Sequence, residues 1–311
     1  MDRPLRLNID RPPGARAAPR LRVLASGSAG NCTVLRAGGH TVLIDAGLSP
    51  RRTAELLAEC GLTPEDVDAI LLTHLDSDHF HSGWVRALPE RVRVFVHEAH
   101  EREAFVRGLS GRRRSLFQGF VAVGEGLCAR ATLTHHDELG TAAFRLSFGC
   151  GAELGFATDL GRTTDRLVEH LRGVDVLAVE SNYCPRMQAG SDRPWFLKRR
   201  VMGGRGHLSN EECLRLIGDV GPRSHVVLLH LSRQCNDPTL VARLHAQKPY
   251  RVTITSQHAP TEWIEVRATS GAPPCAAPPA RPLIATTLFD HLLPARGRDS
   301  RTGGAEAEAA G

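Results

Sequence analysis

Seven residues, Thr73-His74-Leu75-Asp76-Ser77-Asp78-His79, constrain this chain more than any other stretch. They follow the apolar run Ala69-Ile70-Leu71-Leu72, which reads as a buried strand. Two imidazoles and two carboxylates directly after a core strand supply the nitrogen and oxygen donors that borderline and hard metals prefer. A turn that needs only solubility has no reason to collect them. The heptad points to a metal site at the end of a sheet, so the fold must bring further ligands to it.

Such groups stand at the ends of other apolar runs. His135-His136-Asp137 follows 129–134, Asp159 follows 155–158, and His230 follows 226–229. Each alone fits a hydrogen-bonded histidine or a turn aspartate. Their recurrence at strand ends argues for one constellation, because rigid elements place ligands best. His81 and His135 are spare histidines close enough to serve as alternatives.

The runs outline an α/β (α+β) chain. Strands are expected at 21–25, 32–36, 41–45, 67–72, 92–96, 127–134, 142–148, 154–158, 174–179, 226–230 and 251–255. Helices are expected at 51–60, 97–108, 164–171, 210–217 and 238–245, the fourth opened by a capping box of Ser209 and Glu212. Residues 1–20 read as a disordered basic arm, and 268–311 as a Pro/Ala/Gly-rich tail with one apolar island at 283–293. One folded domain, 21–267, remains. The eight cysteines form no Cys-x-x-Cys pair, which excludes a zinc knuckle and argues against a disulfide framework. There is no secretory h-region and no apolar run of membrane-spanning length, so a cytoplasmic protein is expected. The net charge of +5 permits a nucleic-acid partner without requiring one. Lys198 and Lys248 are the only lysines, so nearly all positive charge is arginine.

The pattern His74-x-Asp76-x-Asp78-His79 resembles the His-x-His-x-Asp-His signature of the metallo-β-lactamase superfamily, with Asp76 where a histidine is usual. The likeness extends to the YycJ/WalJ-type subfamily across 21–267. It rests on Ser26-Gly27-Ser28-Ala29-Gly30-Asn31-Cys32, Leu43-Ile44-Asp45-Ala46-Gly47, His136-Asp137 and Thr158-Asp159-Leu160-Gly161. Glu180-Ser181-Asn182-Tyr183, Gly206-His207-Leu208-Ser209-Asn210 and His230-Leu231-Ser232 complete it. The RNase Z branch has a similar order of Glu, Gly-His and a late ligating His.

The resemblance implies a single-domain, four-layer αββα sandwich holding two divalent metal ions. His74, Asp76 and His136 would hold one ion, and Asp78, His79 and His230 the other, with Asp159 between them. Zinc is the expected metal. The carboxylate of Asp76 shifts preference toward manganese or iron, and a carboxylate there also occurs in the flavodiiron redox branch. Asp45 would orient ligands from behind, or else serve as a turn or helix-capping aspartate. Asp78, His207 and Glu180 are the candidate catalytic residues. His207 would protonate the leaving oxygen, with Glu180 holding its imidazole in the protonated form.

Substrate contacts are expected from the turn 26–31, whose amides, with Ser28 and Asn31, could cradle phosphate; a plain hairpin turn is the alternative. Arg112-Arg113-Arg114 and Arg199, Arg200 and Arg205 could grip a polyanion, or merely be solvated. Little aromatic interleaving argues against a base-stacking platform. The expected activity is a dinuclear-metal phosphodiesterase or exonuclease acting on nucleic acid through a metal-activated water. A hydrolase of small cyclic phosphodiesters, lactones or thioesters is the alternative enzyme. A binding module that keeps the fold without catalysis is the alternative from another class.

Overall fold

The computed structural model describes residues 17–269. The expected apolar island at 283–293 and most of both expected arms lie outside the described residues. Inside that range the ordered chain overruns the expected borders. Arg20 already pairs with Arg36 and Glu265, and Thr269 donates from its amide and hydroxyl to Asp175.

The first half of the chain builds β1 (Arg20–Ala25), β2 (Cys32–Ala37), β3 (His40–Ile44), α1 (Pro50–Ala58), β4 (Ala69–Leu71), α2 (Trp84–Ala87), β5 (Arg93–His97), α3 (Glu101–Val106) and β6 (Arg114–Phe117). The second half builds β7 (Phe120–Gly124), β8 (Leu127–Thr134), β9 (Thr141–Phe148), β10 (Glu153–Ala157), α4 (Asp165–Leu171), β11 (Val176–Glu180), α5 (Pro185–Gly190), α6 (Trp195–Met202), α7 (Asn210–Val220), β12 (His225–Leu229), α8 (Pro238–His245) and β13 (Arg251–Ile254). A short β14 (Ile264–Glu265) returns to the edge of the first sheet.

One sheet has the order β14-β1-β2-β3-β4-β5-β6, the other β13-β12-β11-β10-β9-β8-β7. Both repeat one plan. The early strands, β1 to β3 and β7 to β10, run antiparallel, and the later ones, β3 to β6 and β10 to β13, run parallel.

Alternation along each strand explains the layers. Val42, Ile44, Ala69, Leu71, Val176, Ala178, Val227 and Leu229 enter one core between the sheets. Their neighbours face outward under helices. Leu43 and Ile70 pack with Leu56, Leu57 and Trp84, while Leu177, Val179 and Leu228 pack with Leu167, Leu216 and Val241. A strand covered on both faces is apolar throughout, which is why these strands read as unbroken runs. The result is the expected αββα sandwich.

Helix ends follow local chemistry. Ser49 caps α1, whose first residue is Pro50. Ser209 and Glu212 close the expected capping box on α7, which runs to Val220 and stops at left-handed Gly221. Strands β6, β7 and β14 and helices α2, α5 and α6 were not anticipated. Among the described residues, no helix is long and apolar enough to cross a membrane.

Candidate metal centre

The parallel strands β3, β4, β10, β11 and β12 end on the same side of the sandwich, and β8 ends with them. Asp45 follows β3, the heptad follows β4, His136 follows β8, Asp159 follows β10, Glu180 ends β11 and His230 follows β12. Crevices at the carboxyl ends of parallel strands are where α/β sheets bind ligands. The backbone is bent to make this possible. Among the described residues, positive φ outside glycine occurs at Asp45 (60°), Asp137 (43°), Asp159 (53°) and His230 (55°). Left-handed backbone is costly for residues with a Cβ, and such strain collects at functional sites.

Donor atoms converge in overlapping groups, each within 4.8 Å: His74, His136 and Asp159; Asp78, His79 and His230; Asp76, His136 and Asp137; and Asp159, Glu180, His207 and His230. Every expected ligand is present. Asp76 Oδ2 lies 3.8 Å from His74 Nε2 and 3.9 Å from His136 Nε2, which joins it to the first group. Asp159 belongs to both sides: it shares a donor group with His74 and His136, and its Oδ2 lies 2.9 Å from His79 Nε2 and its Oδ1 3.7 Å from His230 Nε2. The spare histidines stay apart. His135 meets Arg162 at 2.8 Å, and His81 Nδ1 accepts from the Gly83 amide.

The donor set fits a divalent metal. Burial, with His79 close by, holds His74 neutral, well below the usual imidazole range. Its Nδ1 sits 3.0 Å from Thr73 Oγ1, and its buried Nε2 has no hydrogen-bond partner among the described residues. An unmet buried polar atom costs about 1–3 kcal/mol, and a cation would relieve that cost. His136 donates Nδ1–H to the Gly206 carbonyl at 3.0 Å, which turns Nε2 toward the cluster. Burial works against charge on His136, yet Asp76 and Asp159 raise its pKa to about 9, while the neighbouring His136 imidazole lowers that of Asp76 to about 2. Burial likewise opposes ionisation of Asp159, but His230 and His79 hold it well below the usual carboxylate range. These paired charges occupy the places that metal–ligand bonds take when an ion binds.

Asp45 sits behind His79, and Ser49, not Asp45, caps the helix that follows. Its carboxylate is buried, accepts from Thr73 N at 2.8 Å and Thr73 Oγ1 at 3.0 Å, and lies 2.8 Å from His79 Nδ1. Burial lowers the charge preference of His79, but Asp159 and Asp45 more than offset it and raise its pKa well above the ordinary value. Asp45→Asn should weaken metal binding about 10–100-fold. A competitive chelator titration measures this, and unchanged affinity would show that Asp45 does not set His79.

The phosphate cradle expected at 26–31 is not open. Its amides are engaged: Ser26 to Ser256 O, Gly27 to Asn31 Oδ1, Ala29 to Gln257 Oε1, Gly30 to Gly27 O and Asn31 to Asp78 O. The Asn31 side chain bonds Ser26, Gly27 and the Asp78 carbonyl and lies 3.0 Å from His79 Nε2, so it braces the metal loop. Ser28 is exposed at the tip.

The arginine groups separate. Arg114 lies in β6, mostly buried, paired with Glu101 at 3.2 Å, and Arg113 lines a different cavity beside Trp84 and Leu109. Arg199, Arg200 and Arg205 do line the cavity of about 890 Å³ that contains His74, Asp76 and His136. Sequence reasoning assigned no role to Asn182, which donates to the His230 carbonyl at 2.8 Å, or to Asn236, which donates to the carbonyls of Ser181 and Asn182 at 2.9 Å. The signal for Asn182 was its place two residues after Glu180; nothing marked Asn236.

His207 Nδ1 lies 3.3 Å from Glu180 Oε2 and 3.4 Å from Asp159 Oδ1. Glu180 is fully buried and accepts from Leu208 N at 2.6 Å and Leu160 N at 3.2 Å. A buried carboxylate held by two amides is a fixed anchor for the imidazole beside it.

Comparison with known proteins agrees with this geometry. Residues 40–231 match the β-lactamase superfamily domain. Exodeoxyribonuclease WalJ of Streptococcus pneumoniae is 30% identical over 221 residues, 69% of this chain and 82% of that protein. Exodeoxyribonuclease YycJ of Bacillus anthracis is 30% identical over 219 residues, 69% of this chain and 83% of that protein. In fold, the chain is similar to the crystal structure of the metallo-β-lactamase fold protein YhfI from Bacillus subtilis. That likeness has a TM-score of 0.62 at 17% identity and covers 79% of this chain and all of that one. The domain match spans the heptad through His230 and the relatives align over most of their own length, so this chain belongs to the β-lactamase superfamily, within its WalJ- and YycJ-like group.

Proposed function

We propose that this chain is a metal-dependent phosphodiesterase that removes nucleotides from DNA ends. The observation that carries the proposal is the His207–Glu180 couple, set against the donor cluster and touching it through Asp159. The relatives named exodeoxyribonucleases supply the substrate class.

Two divalent ions fit the donor groups: one with His74, Asp76 and His136, the other with Asp78, His79 and His230, and Asp159 shared. The imidazole-rich set suits zinc, and the carboxylate of Asp76 also admits manganese or iron. Divalent ions in such a site polarise phosphoryl oxygens and make water more acidic. The protein's groups supply the rest. Asp78, 23% exposed and grouped with His79 and His230, is the carboxylate that takes the proton of the attacking water in this proposal. Glu180 fixes His207 through Nδ1, and the other ring nitrogen delivers a proton to the departing oxygen. Arg199, Arg200 and Arg205 attract the DNA backbone, so binding weakens as salt rises. The cytoplasm is the compartment we propose for this activity.

Metal content of protein purified without chelator, paired with end-labelled DNA and added zinc, manganese or iron, tests the proposal. The expected result is bound metal and stepwise shortening from one end, both lost in His74→Ala. Bound metal without DNA cleavage would overturn the nucleic-acid assignment, and absence of metal would overturn the catalytic one.

A further inference from the structure

Helix α6 exposes two adjacent aromatic rings, Trp195 at 75% and Phe196 at 73%. Phe196 lies on the wall of the 890 Å³ cavity that contains His74, Asp76 and His136. One turn along, Arg199 and Arg200 line the same cavity, and Arg205 follows in the loop leading to His207. Arg200 is paired with Asp137, whereas Arg199 and Arg205 make no ion pair among the described residues. More wall comes from His100 and Glu103, at the start of α3. His100 is 2% exposed; its Nδ1 lies 3.7 Å from Glu103 Oε2, and neither ring nitrogen has a hydrogen-bond partner among the described residues.

This combination has a chemistry of its own. An exposed ring beside free guanidinium groups is what proteins use to hold unpaired nucleotides: the ring stacks on a base and the cations follow the phosphates. Buried imidazole nitrogens without partners need a ligand that brings donors or acceptors, and a base edge carries both. The cavity falls within the roughly 300–1,000 Å³ typical of small-molecule pockets, room enough for a nucleotide. We infer that this cavity is a nucleotide subsite, where one unpaired base of the DNA strand stacks on Phe196, Arg199 and Arg205 hold the flanking phosphates, and His100 and Glu103 contact the base edge. The inference rests on the proposed nuclease activity and adds that the gripped end is unpaired. The lining also carries Asp76, Glu103, Asp137 and Glu138, so it is the two unpaired guanidinium groups of Arg199 and Arg205 beside the exposed ring that favour this occupant over a second copy of the chain.

The test uses metal-loaded full-length protein, a single-stranded oligodeoxynucleotide and bis(p-nitrophenyl) phosphate. Phe196→Ala should raise KM for the oligonucleotide roughly tenfold, the scale of one lost base–aromatic stack, with kcat little changed. Its hydrolysis of the small diester should match wild type, and Phe196→Trp should restore KM. Removing the base at one position of the strand should raise the wild-type KM by a similar factor and leave Phe196→Ala unaffected.

Wild-type kinetics for Phe196→Ala on DNA would overturn the inference, as would an equal loss on both substrates. So would a dimer that dissociates in Phe196→Ala while KM holds, because the aromatic face would then belong to a second copy. These outcomes leave the nuclease proposal standing. A wild-type protein that cleaves the small diester but no DNA defeats that proposal, and this inference with it.

Discussion

His207→Ala should lower kcat on DNA by about 10²–10⁴-fold, the usual worth of general acid catalysis. It should leave hydrolysis of bis(p-nitrophenyl) phosphate within a few fold of wild type. The contrast comes from the leaving group. The oxygen of a sugar departs as a strong base unless protonated, whereas p-nitrophenolate is stable enough to leave alone. The structure suits His207 for this, since Nδ1 is engaged by Glu180 and Asp159, leaving Nε2 for the departing oxygen. Glu180→Gln should move activity the same way by a smaller factor, because an amide can still orient the ring but no longer stabilises its charge. Another role is geometrically open, because His207 also falls in a donor group with Asp159, Glu180 and His230. If His207→Ala lost activity equally on both substrates and bound less metal, His207 would be a ligand and the acid assignment would fail.

The cluster could be read from sequence because its residues sit where long apolar runs stop. Strands β4, β10 and β12 are covered on both faces, so His74, Asp159 and His230 interrupt unbroken hydrophobic stretches. The capping box at Ser209 could be read because its partners are three residues apart. The closed loop at 26–31 could not. Its amides are taken up by Gln257, 228 residues away from Ala29, and by the Asp78 carbonyl. The left-handed backbone at Asp45, Asp159 and His230 is equally a product of packing. Helix α6 was hidden for a different reason. It turns Trp195 and Phe196 to solvent and fully buries only Val201, so no core-facing stripe announces it. The Arg112-Arg113-Arg114 run stayed open between two readings because charge runs carry no partner information, and Arg114 is committed to Glu101.

Gly47→Ala should damage the centre from outside it. Gly47 has an ordinary backbone conformation, so the constraint is space. A Cβ there would lie 1.7 Å from the Asp78 carbonyl oxygen and 2.8 Å from the Asn31 amide nitrogen, both backbone atoms. Those two atoms are bonded to each other at 2.7 Å, and Gly47 N donates to Asn31 O at 2.9 Å. Ala46 N donates to His79 O, and His81 N to Ala46 O, so three segments are tied together at this point. The added methyl can be accommodated only by pushing the loop that carries Asp78 and His79 outward. Overpacking of this kind costs about 1–3 kcal/mol and sometimes more, which for a domain of this size is roughly 2–4 °C of melting temperature per kcal/mol. Metal affinity should fall as well, because two ligands leave their places. Gly218, inside α7, supplies the control, since a Cβ there meets nothing within 4 Å. Gly218→Ala should gain roughly 0.5–1 kcal/mol from helix propensity with metal binding intact. Thermal melts and chelator titrations on both variants decide the matter. If Gly47→Ala melted and bound metal like wild type, the tied segments would not be what positions Asp78 and His79.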